Sequence, residues 1–426
     1  IKRREALNHF DDFYGSVFGN QWESIREGLL RRPKYVAVIN NYGDFEETME
    51  LLSNKDVKQE SNVVSNYLLY FIYCCFHITK TVLVFKCRTS AQTLDDAIAE
   101  ADIDQTRIIE PGMGTTSEAL YQYIPATKLK GMDDYVSESL HYSFYSTSTD
   151  FPLVIEPETE YSYPEHLKLM TYERDSELHM FPEPKRSQTG VFNYYPLDGG
   201  SVLAVLALCL QPGDRVLDMC AAPGGKSLIA LQTLLPDVLV CNDVSISRIK
   251  NIFRNYLIDF ETSNKWQERV VLNRKDGRNI VDDYGFDKVL VDVPCTTDRH
   301  AVMENENNIF RADRVRERLR IPELQSQLLA NALRVTRVGG AVVYSTCSLS
   351  PVQNDGVVHM ALKQVFTADG ILASVRCSPR TGYWPLSGER VTCWLTAVNT
   401  ERRRGAHGAQ TGVHRGRDTG LCQVSV

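Results

Sequence analysis

The sequence lacks most of the marks that would assign it quickly. It has no basic excess: 47 Lys and Arg stand against 54 Asp and Glu, a formal net charge of −7. A domain that coats phosphates usually carries the opposite sign. It has no apolar run long enough to span a bilayer. The longest, Tyr67–Ile78 (YLLYFIYCCFHI), is interrupted by Thr79 and Lys80 before Val82–Phe85 resumes, so we read a buried element and expect no membrane segment. Lys2-Arg3-Arg4 is followed by no cleavable apolar core, so no secretory signal is visible. The chain opens at Ile1 and not at Met, so we expect residues upstream, and no transit peptide is readable. No internal repeat is found. Cys74, Cys75, His77 and Cys87 match no common zinc spacing, and no metal is expected. The 11 cysteines are scattered over 426 residues, unlike a small disulfide-stapled domain, so we expect reduced thiols.

What is present is uneven. Residues 1–190 carry a net −11, residues 191–366 are neutral, and residues 367–426 carry +4. These zones give provisional boundaries. Residues 1–140 read as a mainly helical extension, with Phe10, Phe13, Tyr14 and Phe18 on one apolar face. Residues 141–189, rich in Ser, Thr, Tyr, Pro and Glu without a steady period, read as an extended or disordered linker. From 367 the pattern lapses into an Arg- and Gly-rich sequence that reads as a disordered tail.

Residues 190–366 carry the clearest pattern. Apolar helix candidates at Ser201–Leu210, Ser227–Leu235, Ser245–Phe260 and Glu323–Val335 alternate with short apolar strands. The strands are Arg215–Met219, Val238–Cys241, Arg269–Leu272, Lys288–Asp292 and Ala341–Ser345. Strands apolar on both faces, alternating with helices, predict an α/β fold with a doubly wound, Rossmann-like parallel sheet of order 3-2-1-4-5. Ligands of such sheets bind beyond the carboxyl ends of the strands. Asp218, Asp243, Asp276, Asp292, Cys295 and Cys347 all fall at or just after those ends. One such acid is usually a helix cap; six in register are harder to attribute to capping.

The first loop, Cys220-Ala221-Ala222-Pro223-Gly224-Gly225-Lys226, is small enough for its backbone to approach a ligand and opens a helix N-terminus, which suits an anion. It matches neither GxxxxGK[ST] nor GxGxxG. Asp243 is placed to accept from ribose hydroxyls and Asp276 to meet an adenine amino group. A nucleoside bearing a carboxylate in place of a pyrophosphate describes S-adenosyl-L-methionine.

Cys295 and Cys347 end the fourth and fifth strands, which are neighbours in the expected order, so both thiols face one cleft. Buried apolar packing is the ordinary role of cysteine and suits Cys209 and Cys241. Two strand-tip thiols beside a methyl donor suggest covalent catalysis. Carbon 5 of cytosine is a poor nucleophile until a thiolate adds to carbon 6; a second cysteine can then assist release. A carboxylate such as Asp292 can hold the ring, and the base must first leave its stack.

CAAPGGK (Cys220–Lys226), Asn242-Asp243, Asp276-Gly277-Arg278, DVPC (Asp292–Cys295) and STCS (Ser345–Ser348) together resemble the Sun/NOL1/NOP2 family of RNA cytosine-5 methyltransferases. HFDDFYGSVFGNQW, PCTTDRH and ENNIF are similar to its mitochondrial ribosomal-RNA member. The resemblance implies that Cys220–Lys226, Asp243, Arg248, Asp276 and Asp292 hold S-adenosyl-L-methionine. It also implies that Cys347 is the nucleophile and that Cys295 supports release. DNA cytosine-5 methyltransferases place the nucleophile in the PC motif instead, and the presence of both cysteines favours RNA. A ribosome-assembly factor that does not need catalysis is the non-enzymatic alternative. The resemblance further implies the mitochondrial matrix, a ribosomal RNA substrate, and a partner of the mitochondrial transcription-termination-factor family.

No separate RNA-binding module is recognisable. Arg299 and His300 are the first candidates for phosphate contacts, followed by Arg311, Arg314, Arg316, Arg318 and Arg320. Glu304, Glu306, Asp313 and Glu317 dilute this run, so a solvated charged face is the competing reading.

Overall fold

In the computed structural model the described residues are 2–53, 58–59, 154–156, 163–172, 177–376 and 394–402. Tyr67–Phe85, with Cys74, Cys75, His77 and Cys87, and the sequence after Arg402 lie outside them. The helices are α1 Lys2–Phe18, α2 Trp22–Leu30, α3 Phe45–Ser53, α4 Gly199–Leu206 and α5 Gly225–Gln232, then α6 Ile246–Tyr256, α7 Asn264–Arg269, α8 Asp298–Met303, α9 Val315–Val335 and α10 Val357–Asp369. The strands are β1 Tyr35–Ile39, β2 Lys58–Gln59, β3 Val154–Glu156, β4 Leu169–Thr171, β5 Tyr194–Asp198 and β6 Arg215–Asp218. They continue as β7 Val238–Asn242, β8 Val270–Asn273, β9 Phe286–Asp292, β10 Thr336–Thr346, β11 Ile371–Arg376 and β12 Trp394–Arg402.

Strand chemistry explains the central sheet. Successive residues of a strand face opposite sides. Val216, Leu239, Cys241, Leu290 and Val343 enter one core with α4, α5 and α6. Their neighbours Leu217, Val240, Val289, Val291, Val342 and Tyr344 enter a second core with α9 and α10. Both faces are covered, which is why the strands read as continuous apolar runs. The parallel strands lie in the order β8-β7-β6-β9-β10, the expected 3-2-1-4-5. The fold is a Rossmann-like, doubly wound α/β fold.

The sheet does not end there. β12 pairs antiparallel with β10, β11 antiparallel with β12, and β3 parallel with β11, giving eight strands. This corrects the expectation of a patternless tail from 367: that boundary falls inside α10, and two further strands close the sheet beyond it. ILASVR and WLTAVNTER mix polar residues with apolar ones and form antiparallel strands, so they lack the continuous apolar run of the parallel strands.

The N-terminal zones also differ from expectation. Pro33 ends the helical lead-in, and the β-branched run YVAVI forms β1. β1 pairs antiparallel with β5 and with β4, making a second sheet of order β2-β4-β1-β5. Residues 141–189 therefore contribute two ordered strands, β4 to this sheet and β3 to the larger one. Asn40, 1% exposed, bonds this sheet to the larger domain: its amide donates to the Phe192 carbonyl at 2.8 Å and the Tyr256 carbonyl at 2.9 Å. Helix α9 begins eight residues before the expected start at Glu323. A proline disfavours helix at the residue before it, yet Ile321 and Pro322 are both buried and tertiary packing carries the helix through.

Candidate active site

The cofactor-type loop runs from the tip of β6 to α5. Gly224 has φ +110°, a conformation that favours glycine, and caps α5. A Cβ on Gly225 would lie 2.9 Å from Leu197 Cδ1 and 3.3 Å from Tyr195 Cε1, so β5 packs directly on the start of the helix. Asp243, just after β7, braces the loop. Its Oδ2 accepts from the Ala222 N–H at 3.0 Å and its Oδ1 from the Ser245 N–H at 2.7 Å. Arg248 is exposed on the first turns of α6. Ala221 is buried, and the Cys220 thiol is pushed up by burial and by nearby Asp218, which keeps it protonated.

Two features of this region were not foreseen. Asp276 is paired with its neighbour, the Arg278 guanidinium approaching to 2.6 Å and the Arg278 N–H donating at 3.0 Å. That bonding holds the partly exposed Asp276 carboxyl below the usual carboxylate range. Asp218 is 2% exposed; Oδ2 accepts from the Ser227 hydroxyl at 2.6 Å, but Oδ1 has no partner. Burial pushes this carboxyl up to about 7.

Strand register assembles the thiol site. Asp292 lies opposite Ser345 across β9 and β10, and the Ser345 hydroxyl donates to Asp292 Oδ1 at 2.7 Å. Lys226 Nζ donates to Asp292 Oδ2, also at 2.7 Å. Asp292 thus joins the first loop to the TC loop. Beyond it the Cys347 N–H donates to Cys295 Sγ at 3.2 Å, so the two cysteines are adjacent. Cys347 is exposed and Cys295 half-buried. The Cys295 thiol donates to Cys347, which pushes Cys295 up and holds Cys347 below the ordinary thiol range; Lys226 acts on Cys347 in the same sense. Of the two, Cys347 is the better thiolate.

Both loops rest on Asp298, the first residue of α8 and 1% exposed. Its carboxylate accepts from the Leu349 N–H at 2.7 Å, from the hydroxyl of Thr296, and from the Tyr14 hydroxyl of α1 at 2.5 Å. α1 and α2 share an apolar core with Ala301, Val302 and Leu349.

Cys347, Asp292 and Lys226 open onto a cavity of about 810 Å³. Asp198 and Arg299 line it too, and Leu29, Pro33, Tyr35 and Leu178 from the N-terminal zones supply a wall. Burial pushes the Arg299 guanidinium down, and the nearby Asp198 carboxylate opposes this. At the rim Glu177 pairs with Arg32 at 2.6 Å and with His179 Nδ1 at 3.1 Å.

Of the expected phosphate contacts, Arg299 and His300 line the cavity, and a His300 ring nitrogen lies 3.1 Å from the Glu306 carbonyl. Arg311 and Arg314 do not line it. Arg311 pairs with Asp313 at 2.8 Å, and Arg314 pairs with Glu317 at 2.6 Å and donates to the Asn307 carbonyl. The sequence offered no comparable signal for Asp198, Asp298 or Tyr14; only the position of Asp298, three residues after Cys295, could have drawn attention to it. Among the described residues no group of side chains fits a metal ion, and no helix is long and apolar enough to cross a membrane.

Residues 205–377 match the family model described as 16S rRNA methyltransferase RsmB/F. The chain is 35% identical to the 5-cytosine rRNA methyltransferase nsun-4 of Caenorhabditis elegans, over 86% of this chain and 81% of that protein. It is 33% identical to the 5-cytosine rRNA methyltransferase NSUN4 of Xenopus laevis, over 87% of this chain and 79% of that one. A solved methyltransferase homologue from Pyrococcus horikoshii aligns at 16% identity with a TM-score of 0.49, covering 93% of this chain and 98% of that one. Identity at this level, over more than four fifths of this chain and about four fifths of each relative, shows that the chain belongs to the Sun/NOL1/NOP2 family of RNA cytosine-5 methyltransferases.

Proposed function

We propose that this chain methylates carbon 5 of a cytosine in mitochondrial small-subunit ribosomal RNA, with Cys347 as the nucleophile. The observation that carries the reading is the adjacency of two thiols, the more exposed of which is the more acidic, beside an Asp292 held from both sides.

S-adenosyl-L-methionine supplies an activated methyl group when bound. The chain's own residues fit it. The loop Cys220–Lys226 is a turn of small residues in which Gly224 takes φ +110°, Asp218 presents an orphaned buried oxygen beside it, and Asp243 closes the second strand end. Arg248 and Asp276 flank the same edge; Asp276 would meet the adenine while keeping Arg278.

The extruded cytosine enters the cavity between α8 and the N-terminal wall. Asp292, fixed by Lys226 and Ser345, accepts from its exocyclic amine. The Cys347 thiolate forms a bond to carbon 6, and the electron pair of the 5,6 double bond moves to carbon 5, which takes the methyl group. The carbon 5 proton then passes to a water molecule acting as base, the C–H electron pair re-forms the 5,6 double bond and the carbon 6–sulfur bond breaks with its pair going to sulfur, returning the thiolate; Cys295 assists this release. Arg299 and His300 take the phosphates that flank the base. The likeness of HFDDFYGSVFGNQW, PCTTDRH and ENNIF to the mitochondrial member supports a mitochondrial substrate and a partner of the transcription-termination-factor family.

Tritiated-methyl transfer to organellar and cytosolic ribosomal RNA, with mapping of the modified position, tests the substrate. Cys347→Ala is expected to abolish transfer, and Cys295→Ala to accumulate an enzyme–RNA adduct that survives denaturation. Normal turnover by Cys347→Ala would overturn the nucleophile assignment.

A further inference from the structure

We propose that Asp298 is a positioning residue for the two cysteines, and that Tyr14 of α1 completes that device. The inference rests on the reading of Cys347 as nucleophile. Asp298 holds both cysteine loops at once. Its N–H donates to the Cys347 carbonyl at 3.0 Å. Its Oδ2 accepts from the Leu349 N–H at 2.7 Å, two residues beyond Cys347. Its Oδ1 accepts from the hydroxyl of Thr296, next to Cys295, and the Ser348 hydroxyl lies 3.3–3.4 Å from the two oxygens. The Tyr14 hydroxyl fills the remaining position on Oδ2.

Capping of α8 is the simpler account of an acid at a helix start, and it does not fit. Leu349, Ser348 and Tyr14 stand 51, 50 and 284 residues away in sequence, so the carboxylate is turned toward the two thiol loops and α1. With its acceptor positions taken, Asp298 has none left for substrate, so it acts through the cysteines and is not itself catalytic. A buried carboxylate is expensive unless hydrogen-bonded throughout, as this one is. Tyr14 is in turn fixed by its ring's neighbours: the centroids of Phe10 and Phe13 lie 5.0 Å away and that of Trp22 5.5 Å. The N-terminal helix thereby sets where Cys347 stands. A displacement of about 1 Å at a reacting atom costs about a hundredfold in rate.

Tyr14→Phe keeps the ring and removes one hydrogen bond; Asp298→Asn cannot accept from all four donors. In the full chain we expect kcat for methyl transfer to fall about tenfold in Tyr14→Phe and about a hundredfold in Asp298→Asn. KM for RNA should stay within about twofold. Alkylation of Cys347 by iodoacetamide, measured on the protein without cofactor or RNA, should slow in parallel and move to higher pH. The charged and titratable groups facing Cys347, namely Cys295, Lys226, Asp292, Asp198 and Arg299, are unchanged in both variants. If Tyr14→Phe melts earlier but keeps wild-type kcat per folded molecule and a wild-type alkylation profile, its role is structural only and the inference fails. Should Asp298→Asn not fold, Tyr14→Phe alone decides. If Cys347→Ala retains turnover, it is the nucleophile reading that fails.

Discussion

Replacing Asp218 by asparagine isolates the cost of one desolvated charge. Asp218 sits at the tip of β6, 2% exposed, with Ser227 on Oδ2 and nothing on Oδ1. Burial raises its carboxyl from 3.8 to about 7; Ser227 and Lys226 oppose the rise, and Asp292 and Asp243 add to it. Between roughly pH 4 and pH 7 the folded chain keeps a proton that the unfolded chain has released. Stability therefore falls as pH rises through that window, by about 1.4 kcal/mol per pH unit. Over about three units the cost reaches about 4 kcal/mol, complete above pH 7 and absent below about pH 4. Asparagine is nearly isosteric and neutral throughout, so Asp218→Asn is expected to be the more stable protein at pH 7.5. The advantage should shrink by about 2 kcal/mol at pH 5.5. Thermal unfolding followed by circular dichroism would read this as a Tm gap of several degrees that narrows on acidification. An equal gap at both pH values, or a wild type that melts higher at pH 7.5, would refute the account of a buried, poorly compensated carboxylate.

What the sequence made legible follows from where information about a contact is stored. The parallel strands are buried on both faces, so each advertises itself as an apolar run, and the polar residues ending them mark one edge of the sheet. That was enough to place Asp218, Asp243, Asp292, Cys295 and Cys347 along it. Asp276 was placed correctly, but its pairing with Arg278 is a choice of rotamer that spacing does not reveal. The second sheet was illegible for a different reason. β1 needs partners at Leu169–Thr171 and Tyr194–Asp198, far along the chain, and β4 has only three residues to announce itself. The strands β11 and β12 were missed because they lie beyond the stretch where the pattern is strong, and both pair antiparallel outside the parallel core. The Tyr14–Asp298 bond is the extreme case: neither residue is unusual alone, and only the packing of α1 and α2 on α8 brings them together.

That dependence on packing also governs the remaining predictions. Gly225→Ala places a Cβ 2.9 Å from Leu197 Cδ1, and overpacking of this kind costs about 1–3 kcal/mol. We expect a lower Tm together with weaker S-adenosyl-L-methionine binding by calorimetry; unchanged values for both would show that the cradle is looser than its geometry. Glu177→Gln acts at the cavity rim. Glu177 holds Arg32 at 2.6 Å and lies 3.1 Å from His179 Nδ1, so it neutralises the Arg32 guanidinium and occupies His179, two potential phosphate ligands. Removing that charge should tighten RNA binding. Because each further phosphate neutralised releases about one counterion, the plot of log affinity against log salt should steepen by about 1 for each such phosphate. The acidic N-terminal zone would then be tuning RNA affinity at the site through this pair. An unchanged salt slope would mean that RNA does not pass the Arg32–His179 rim, and would move its path to the Arg299–His300 side of the cavity.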